Sequence, residues 1–454
     1  MQNLQQSNNK IREYIDSVCN QIRWKRTHAY ISNELENHIV DQKKAFIADG
    51  LDEDAALEKA IVEMGDPIGV GTELNRIHKP KMEWSIVFFT GIALLLGLII
   101  NVVISMDTDM EYTIGKVIFY SLLGIGFMIA AYYLDYTIIG KHPNILFFVF
   151  LIIALGFTII SPHYQSRVFY TKFILLLYPT IYTGIIYSMR KNGYLGLVLC
   201  GAFMIISYVV FTPFSLYSIY ILYSLLCLIL ITISILKGWF NINKIIGLLL
   251  VYIPTIAVVI MTLLNNQYLW IRFNNLLNPN LDPLGYGWSS LLAREIISNA
   301  KFIGEGLGSN SGYMVPAINT DFSITYLVHR FGWISLILIV AVLALLIIKS
   351  FKLCLKQSSV LGSLVSTSVL LTFSMQVVIY IAYNLGFQLI APLTLPLISY
   401  GGVGTIINMF LIGIMLSVFK WDNLINDDVL ISSGKRLFNY TDGKIIIDFK
   451  SLSL

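Results

Sequence analysis

The sequence predicts an all-α polytopic membrane protein with about ten transmembrane helices, and three observations carry that expectation. Hydrophobic residues fill 56% of the 454 positions, and the mean hydropathy is +0.72. Apolar runs close to the ~20 residues needed to cross a bilayer recur throughout the chain. They fall at about 84–105, 115–134, 144–161, 169–188, 195–211, 214–235, 245–264, 322–348, 360–383 and 392–419.

Residues 1–80 read as a small cytoplasmic helical domain ahead of the spans. Asp52 stands where it can cap a helix running through Glu63, with Leu51, Ala55, Leu57, Ala60, Ile61 and Met64 along one side and Gly65 as terminator. Asp66-Pro67 then restarts a helix, with Asp at the N-cap and Pro in the first turn. The segment resembles the helical prefix domains of Gram-positive membrane proteins, which implies regulation or partner binding; a passive aid to assembly is the alternative. Residues 1–83 carry 11 Lys and Arg against 14 Asp and Glu, a net −3, which leaves +7 for the remainder of a chain whose total is +4. No basic stripe marks a soluble face, so no nucleic-acid partner is expected.

The spans occupy residues 81–420, and basic residues beside them predict their orientation. Lys141, Arg190, Lys191, Lys237, Lys244, Lys349, Lys352 and Lys356 fall in alternate loops, so both termini are expected on the cytoplasmic side. Residues 1–83 are too long and polar for a cleavable signal, so insertion is expected to use the first span. A long extracellular loop, 265–320, separates spans seven and eight, with a helix expected at about 287–300. In the tail, 421–454, Asp442-Gly443 between Leu437–Tyr440 and Ile445–Ile447 reads as a β-hairpin turn. Cys19, Cys200, Cys227 and Cys354 lack CxxC spacing and read as free thiols.

Residues 391–420, APLTLPLISYGGVGTIINMFLIGIMLSVFK, are the most informative stretch. Pro392 and Pro396 remove backbone donors and Gly401 and Gly402 allow positive φ, so the apolar helix is expected to be interrupted by a loop lining protein or water. With Ile398, Ser399 and Tyr400, these residues fit the G-x-P-L-P-F-I-S-Y-G-G signature of the SEDS family, the RodA, FtsW and SpoVE membrane glycosyltransferases. Leu277-Asn278-Pro279, Asp282-Pro283, Gly285-Tyr286 and Gly304-Glu305-Gly306-Leu307-Gly308 follow the family's order and spacing. Pro316-Ala317-Ile318-Asn319-Thr320-Asp321-Phe322 stands against its P-E-A-H-T-D-F.

The resemblance covers about residues 268–420. It implies polymerisation of lipid II, the diphosphate-linked disaccharide-peptide of cell-wall synthesis, during elongation, division or sporulation. It also implies a class B penicillin-binding transpeptidase as partner, with other divisome or elongasome membrane proteins. Glycosyl transfer needs a base for the acceptor hydroxyl and stabilisation of the departing diphosphate. The carboxylates expected outside are Asp107, Asp109, Glu111, Asp282, Glu295, Glu305 and Asp321. Asp321 matches the family's essential aspartate; from position alone it reads equally as an N-cap for span eight.

Asp282 is expected to order the turn before Pro283. Cations available for the diphosphate are Arg167, Lys172, Arg272, Arg294 and Lys301; Arg272 beside Trp270 fits a headgroup-level guanidinium or an ordinary interface anchor. Asn278, Pro279, Gly306, Gly308, Thr320, Arg330, Pro396, Ser399, Tyr400, Gly401 and Gly402 complete the expected substrate cavity. No resident metal site is expected from the scattered histidines. A divalent cation, Mg or Mn, bridging carboxylate and diphosphate stays open.

The chain departs from the family at several of these positions. It has Ala317 for Glu, Asn319 for His, and His329-Arg330 for an acidic pair; Tyr178-Pro179-Thr180-Ile181 with Gly184 replaces Gln-Pro-Ser-Glu and its Lys. The Asn-Gly-Ala-x-Arg-Trp motif reduces to Arg167. Arg330, placed nine residues into span eight, is expected to face a polar cavity beside Ser374 and Gln376. A non-catalytic SEDS-like scaffold or sensor and a lipid-linked precursor transporter remain the alternatives.

Overall fold

The computed structural model describes residues 2–23, 25–77, 79, 82–108, 112–160, 171–211, 217–265, 267–307, 316–388, 393–421, 438–441 and 444–447. Two compact units emerge, Met1–Met82 with Lys420–Val429 and Glu83–Phe419 with Leu430–Leu454.

In the first unit, helices α1 (Gln2–Gln21), α2 (Lys25–Ala48), α3 (Glu53–Glu63) and α4 (Pro67–Ile77) enclose a core of Ile11, Ile15, Val18, Ile31, Leu35, Ile39, Leu57 and Ala60. Asp52 stands at the N-cap of α3 but its side chain makes no capping bond. Asp66 does cap, accepting from the Gly69 N–H at 2.8 Å, after Gly65 has ended α3 at φ 87°. Gly71 lets α4 press on α1, because a Cβ there would lie 2.7 Å from the Val18 carbonyl.

Residues 83–419 of the second unit form an α-helical bundle. Among the described residues, seven stretches are long and apolar enough to cross a membrane. One of them, Thr171–Phe211, bends at Arg190–Asn192 into two helices, and Pro143–Ile159 and Leu222–Leu236 are shorter apolar helices. Divided at that bend and taken with the shorter helices, the described residues give ten apolar helical segments, numbered here as spans one to ten: Trp84–Thr108, Tyr112–Tyr133, Pro143–Ile160, Tyr178–Met189, Gly193–Phe211, Tyr217–Leu236, Lys244–Asn265, Trp333–Lys356, Val360–Asn384 and Val403–Lys420. Span four is central, burying Tyr178, Pro179, Thr180, Tyr182 and Thr183. Gly184 passes so near the Ile139 carbonyl that a Cβ would sit 2.3 Å from it, and the Ser368 hydroxyl of span nine donates to the Thr180 hydroxyl at 3.1 Å. Phe438–Thr441 pairs antiparallel with Lys444–Ile447.

Three spans differ from expectation. The run 169–188 is broken into a short helix at Thr171–Ile174, a 3-10 turn at Leu175–Leu177 and the helix Tyr178–Met189. The run 322–348 is not one helix: Ser323–Phe331 ends at Gly332, with φ 90°, and span eight restarts at Trp333. A Cβ on Gly332 would lie 2.5 Å from the Phe302 carbonyl, so the break is where the 299–307 loop crosses the chain. The final span begins at Val403 rather than 392, because residues 393–402 form the buried non-helical loop that Pro396 and the two glycines demand.

Candidate functional site

Asp321 lies in a turn centred on Ala317, whose φ of 53° turns its carbonyl to accept from the N–H groups of Thr320, Asp321 and Phe322 at 3.0, 2.9 and 3.3 Å. Span nine then fixes this turn. The Tyr380 hydroxyl donates to the Thr320 carbonyl at 2.7 Å, and Asn384 Nδ2 donates to the Asp321 carbonyl at 2.9 Å. Asn384 Oδ1 accepts from the Thr325 N–H at 3.0 Å and from its hydroxyl at 3.0 Å. Phe322, not Asp321, occupies the N-cap position of Ser323–Phe331. The carboxylate is thereby left half-buried with no capping task.

The Ser399–Gly402 loop packs beside it. The Tyr400 N–H donates to the Asn319 carbonyl at 3.1 Å, which ties the Tyr-Gly-Gly segment to the Asp321 turn. Ser399 is buried and its Oγ accepts from the Leu395 N–H at 2.7 Å, so it braces the loop. Asn101 of span one donates to the Ile398 carbonyl at 3.1 Å. Gly97 permits that approach, since a Cβ there would be 2.5 Å from the Leu397 carbonyl. Gly401 faces Thr394, buried Pro396 belongs to the same wall, and Gly402, with φ 42°, faces Tyr120.

Lys172 joins the site from the Thr171–Ile174 turn. Its carbonyl accepts from the Tyr223 hydroxyl at 2.9 Å, and its neighbour Phe173 fills the space beside Gly404. The ammonium is within electrostatic reach of Asp321. Burial pushes the Asp321 carboxyl above the usual carboxylate range, while the Lys172 charge and the Thr320 hydroxyl pull it back. On the other side, Tyr383 lies within electrostatic reach of both Asp321 and Arg272 and packs against Phe322 with ring centroids 5.1 Å apart. Thr320, Lys172, Tyr383 and the Tyr400 loop therefore gather about Asp321, with Arg272 within electrostatic reach of Tyr383.

Other expected residues have local partners of their own. Asn278 accepts from the Asn280 N–H at 3.2 Å and starts a short turn through buried Pro279. Asp282 accepts from the Tyr286 N–H at 2.8 Å, the turn-ordering part expected of it. Gly306 lies against His329, its N–H donating to the His329 carbonyl at 2.8 Å. Arg294 is engaged with the Gly386 carbonyl at 3.1 Å and stacks over Phe387. Gly308, Arg167, Asp109, Glu111 and Pro392 lie outside the described residues.

Arg330 requires a correction. It is not deep in span eight beside Ser374 and Gln376, since its helix ends one residue later, and Gln376 is paired instead with Asn408 at 2.9 Å. Its guanidinium meets Asp107 at 3.2 Å and Glu305 at 2.9 Å, and Tyr326 donates its hydroxyl to Asp107. The acids that satisfy it come from the end of span one and from the 299–307 loop. Sequence reasoning named Lys172 only among the cations for the diphosphate and did not foresee its electrostatic reach to Asp321. Its signal was present: a cation at the start of a span, in a chain that lacks the family's Lys after Gln-Pro-Ser-Glu.

The FtsW/RodA/SpoVE family model, described as Cell cycle protein, matches residues 169–423. FtsW of Trichlorobacter lovleyi is 26% identical over 162 residues, which cover 35% of this chain and 42% of that protein. Stage V sporulation protein E of Bacillus subtilis is 28% identical over 152 residues, 33% of this chain and 42% of its own. The chain thus matches less than half the length of these relatives. Among solved structures, a chain of a peptidoglycan synthase complex aligns with TM-score 0.61 at 15% identity, and RodA of Thermus thermophilus with 0.50 at 14%. Each alignment covers 75% of this chain and 98% of the other. At that identity the likeness is one of fold, and with a family match over more than half of its residues the chain belongs to the FtsW/RodA/SpoVE family.

Proposed function

We propose that this protein polymerises lipid II at the outer face of a bacterial plasma membrane. The observation that carries the reading is Asp321: a half-buried carboxylate with a raised pKa, clamped on its backbone side by span nine and faced by Lys172. The acceptor hydroxyl gives its proton to Asp321 as its oxygen bonds the anomeric carbon of the donor sugar, and the bond from that carbon to the diphosphate breaks. Arg272 is the diphosphate contact, and Lys172 keeps Asp321 ionised between turnovers. The FtsW relatives are named as peptidoglycan glycosyltransferases, which supports the same chemistry. Among the described residues no three His, Cys, Asp or Glu side chains converge. A Mg or Mn ion here would take Asp321 as its protein ligand and its remaining ligands from the diphosphate.

The test is polymerisation of labelled lipid II by the purified protein, read as glycan strands on a gel. A second reading, a non-catalytic scaffold, is favoured by one feature: Ile181 and buried Gly184 stand where the family carries Glu and Lys, and buried Tyr178 and Tyr182 pack beside them with ring centroids 5.8 Å apart. No strands, with or without a transpeptidase present, would select it. A class B transpeptidase is the partner we assign, in keeping with a structural neighbour from a complex that coordinates polymerization with crosslinking.

Acid dependence adds a sharper expectation. If the carboxylate form of Asp321 is the base, activity falls on acidification along a limb whose midpoint lies above the ordinary value of about 4. Lys172→Gln removes the charge that favours the carboxylate, so the limb should move to higher pH. A limb that stays in place in pH–rate profiles would separate Lys172 from the base. For orientation, a thiol-specific reagent outside the cell should label a cysteine placed at Asn280 but not one placed at Lys191; the reverse pattern would invert the topology.

A further inference from the structure

The 265–320 segment exposes two apolar groups of different character. The first runs through Leu277, Leu281, Leu284, Tyr286 and Trp288, all exposed, with Leu284 at 91%. Across residues 273–288 the sequence carries one charge, Asp282, and its carboxylate is folded back to accept the Tyr286 N–H at 2.8 Å. The second group, Phe302 and Ile303, is flanked by Lys301 and Glu305 and paired along its backbone with the start of span eight.

The first group is built as a firm projection. A Cβ on Gly287 would lie 2.0 Å from the Pro279 carbonyl, so residues 279–287 close on themselves. Its base is fixed where Ser289 donates to Gln388 at 2.7 Å, Ser290 donates to the Gly386 carbonyl, and Arg294 reaches the same carbonyl at 3.1 Å. It also continues an apolar surface. Span seven, Lys244–Asn265, buries 6% of its apolar window within the protein, and the Gln267–Leu277 helix that follows carries exposed Trp270 and Phe273, stacked 6.1 Å apart.

We propose that residues 277–288 form a wedge that enters the interfacial zone of the lipid leaflet beside span seven. A lipid surface is the occupant because the patch is uncharged, is continuous with the lipid-facing side of span seven, and carries the Tyr and Trp that favour the headgroup boundary. Interfacial apolar faces settle about 5–10 Å into that boundary, and the wedge would hold the Arg272 helix at headgroup level. The inference stands apart from the glycosyltransferase reading, since it is read by depth and not by turnover.

The test is a bimane on Leu284→Cys in the full chain, reconstituted in vesicles. The native thiols are buried, which makes labelling selective. We expect the label to lose most of its emission to lipids brominated high on the acyl chain and to resist aqueous iodide, with Leu281→Cys behaving alike and Ile303→Cys showing the opposite pattern. Iodide quenching at Leu284→Cys and Leu281→Cys equal to that at Ile303→Cys would overturn the proposal. A blue-shifted label untouched by bromolipid would mean that a second copy covers the wedge, and would overturn it equally.

Discussion

Asp321→Asn should abolish glycan polymerisation, with turnover falling at least about 10²-fold, the usual cost of losing a general base. The fold should survive. Asp321 is held through its backbone, by Ala317 and by Asn384, and the substitution touches neither bond. An amide of the same shape fits the same half-buried space and no longer faces the desolvation that raises the carboxyl, so the melting temperature should be unchanged or slightly higher. Strand synthesis and thermal unfolding measured on one preparation separate the two effects. Turnover within a few-fold of wild type would remove Asp321 as the base and leave the scaffold reading.

The second large effect is expected at Asn384→Leu. Asn384 is fully buried and uses both ends of its amide, accepting from the Thr325 N–H and hydroxyl at 3.0 Å and donating to the carbonyls of Asp321 and Tyr380 at 2.9 Å. Leucine fills the volume but offers no side-chain partner, so only the Thr325 hydroxyl keeps a bond, to the backbone carbonyl of residue 384 at 3.0 Å. Stranding the Thr325 N–H and the Asp321 carbonyl costs about 1–3 kcal/mol each, so a loss of several degrees in melting temperature is expected. Activity should fall further than stability does, because small misplacements of a reacting group are disproportionately expensive. Assayed well below its lowered melting temperature, a folded Asn384→Leu protein with full activity would show that the clamp does not position the base.

The bundle was legible because spans are selected by composition, and lipid-facing residues announce themselves whatever they pack against. Helix interruptions were half legible. Pro396, Gly401 and Gly402 signal the loop before Val403 through their own backbone chemistry, whereas the break at Gly332 depends on the Phe302 carbonyl crossing there, a contact between residues thirty positions apart. Asp321 was found through its motif. Its clamp was not, because Tyr380 and Asn384 belong to an apolar span in which a single Asn or Tyr carries no local signature.

Arg330 shows the same limit from the other side. Its need for acids followed from the sequence, but depth along a presumed continuous helix pointed to Ser374 and Gln376. Ending the helix at Phe331 changes the candidates to Asp107 and Glu305. Lys172 stood among five cations of which Arg272 was the one singled out, and the packing of Phe173 beside Gly404 together with the reach of the ammonium to Asp321 brings it forward.

The clamp on Asp321 uses the last two turns of span nine, and Asn384 is the final residue of that helix. Helix ends fray first, and local opening requires far less free energy than global unfolding. The alignment of Asp321, the base in the proposed reaction, therefore depends on the end turn of an otherwise buried helix. Ser290 and Arg294, which grip the Gly386 carbonyl just beyond it, form a ferrule on that helix end, so loosening either should loosen the turn that carries Asn384.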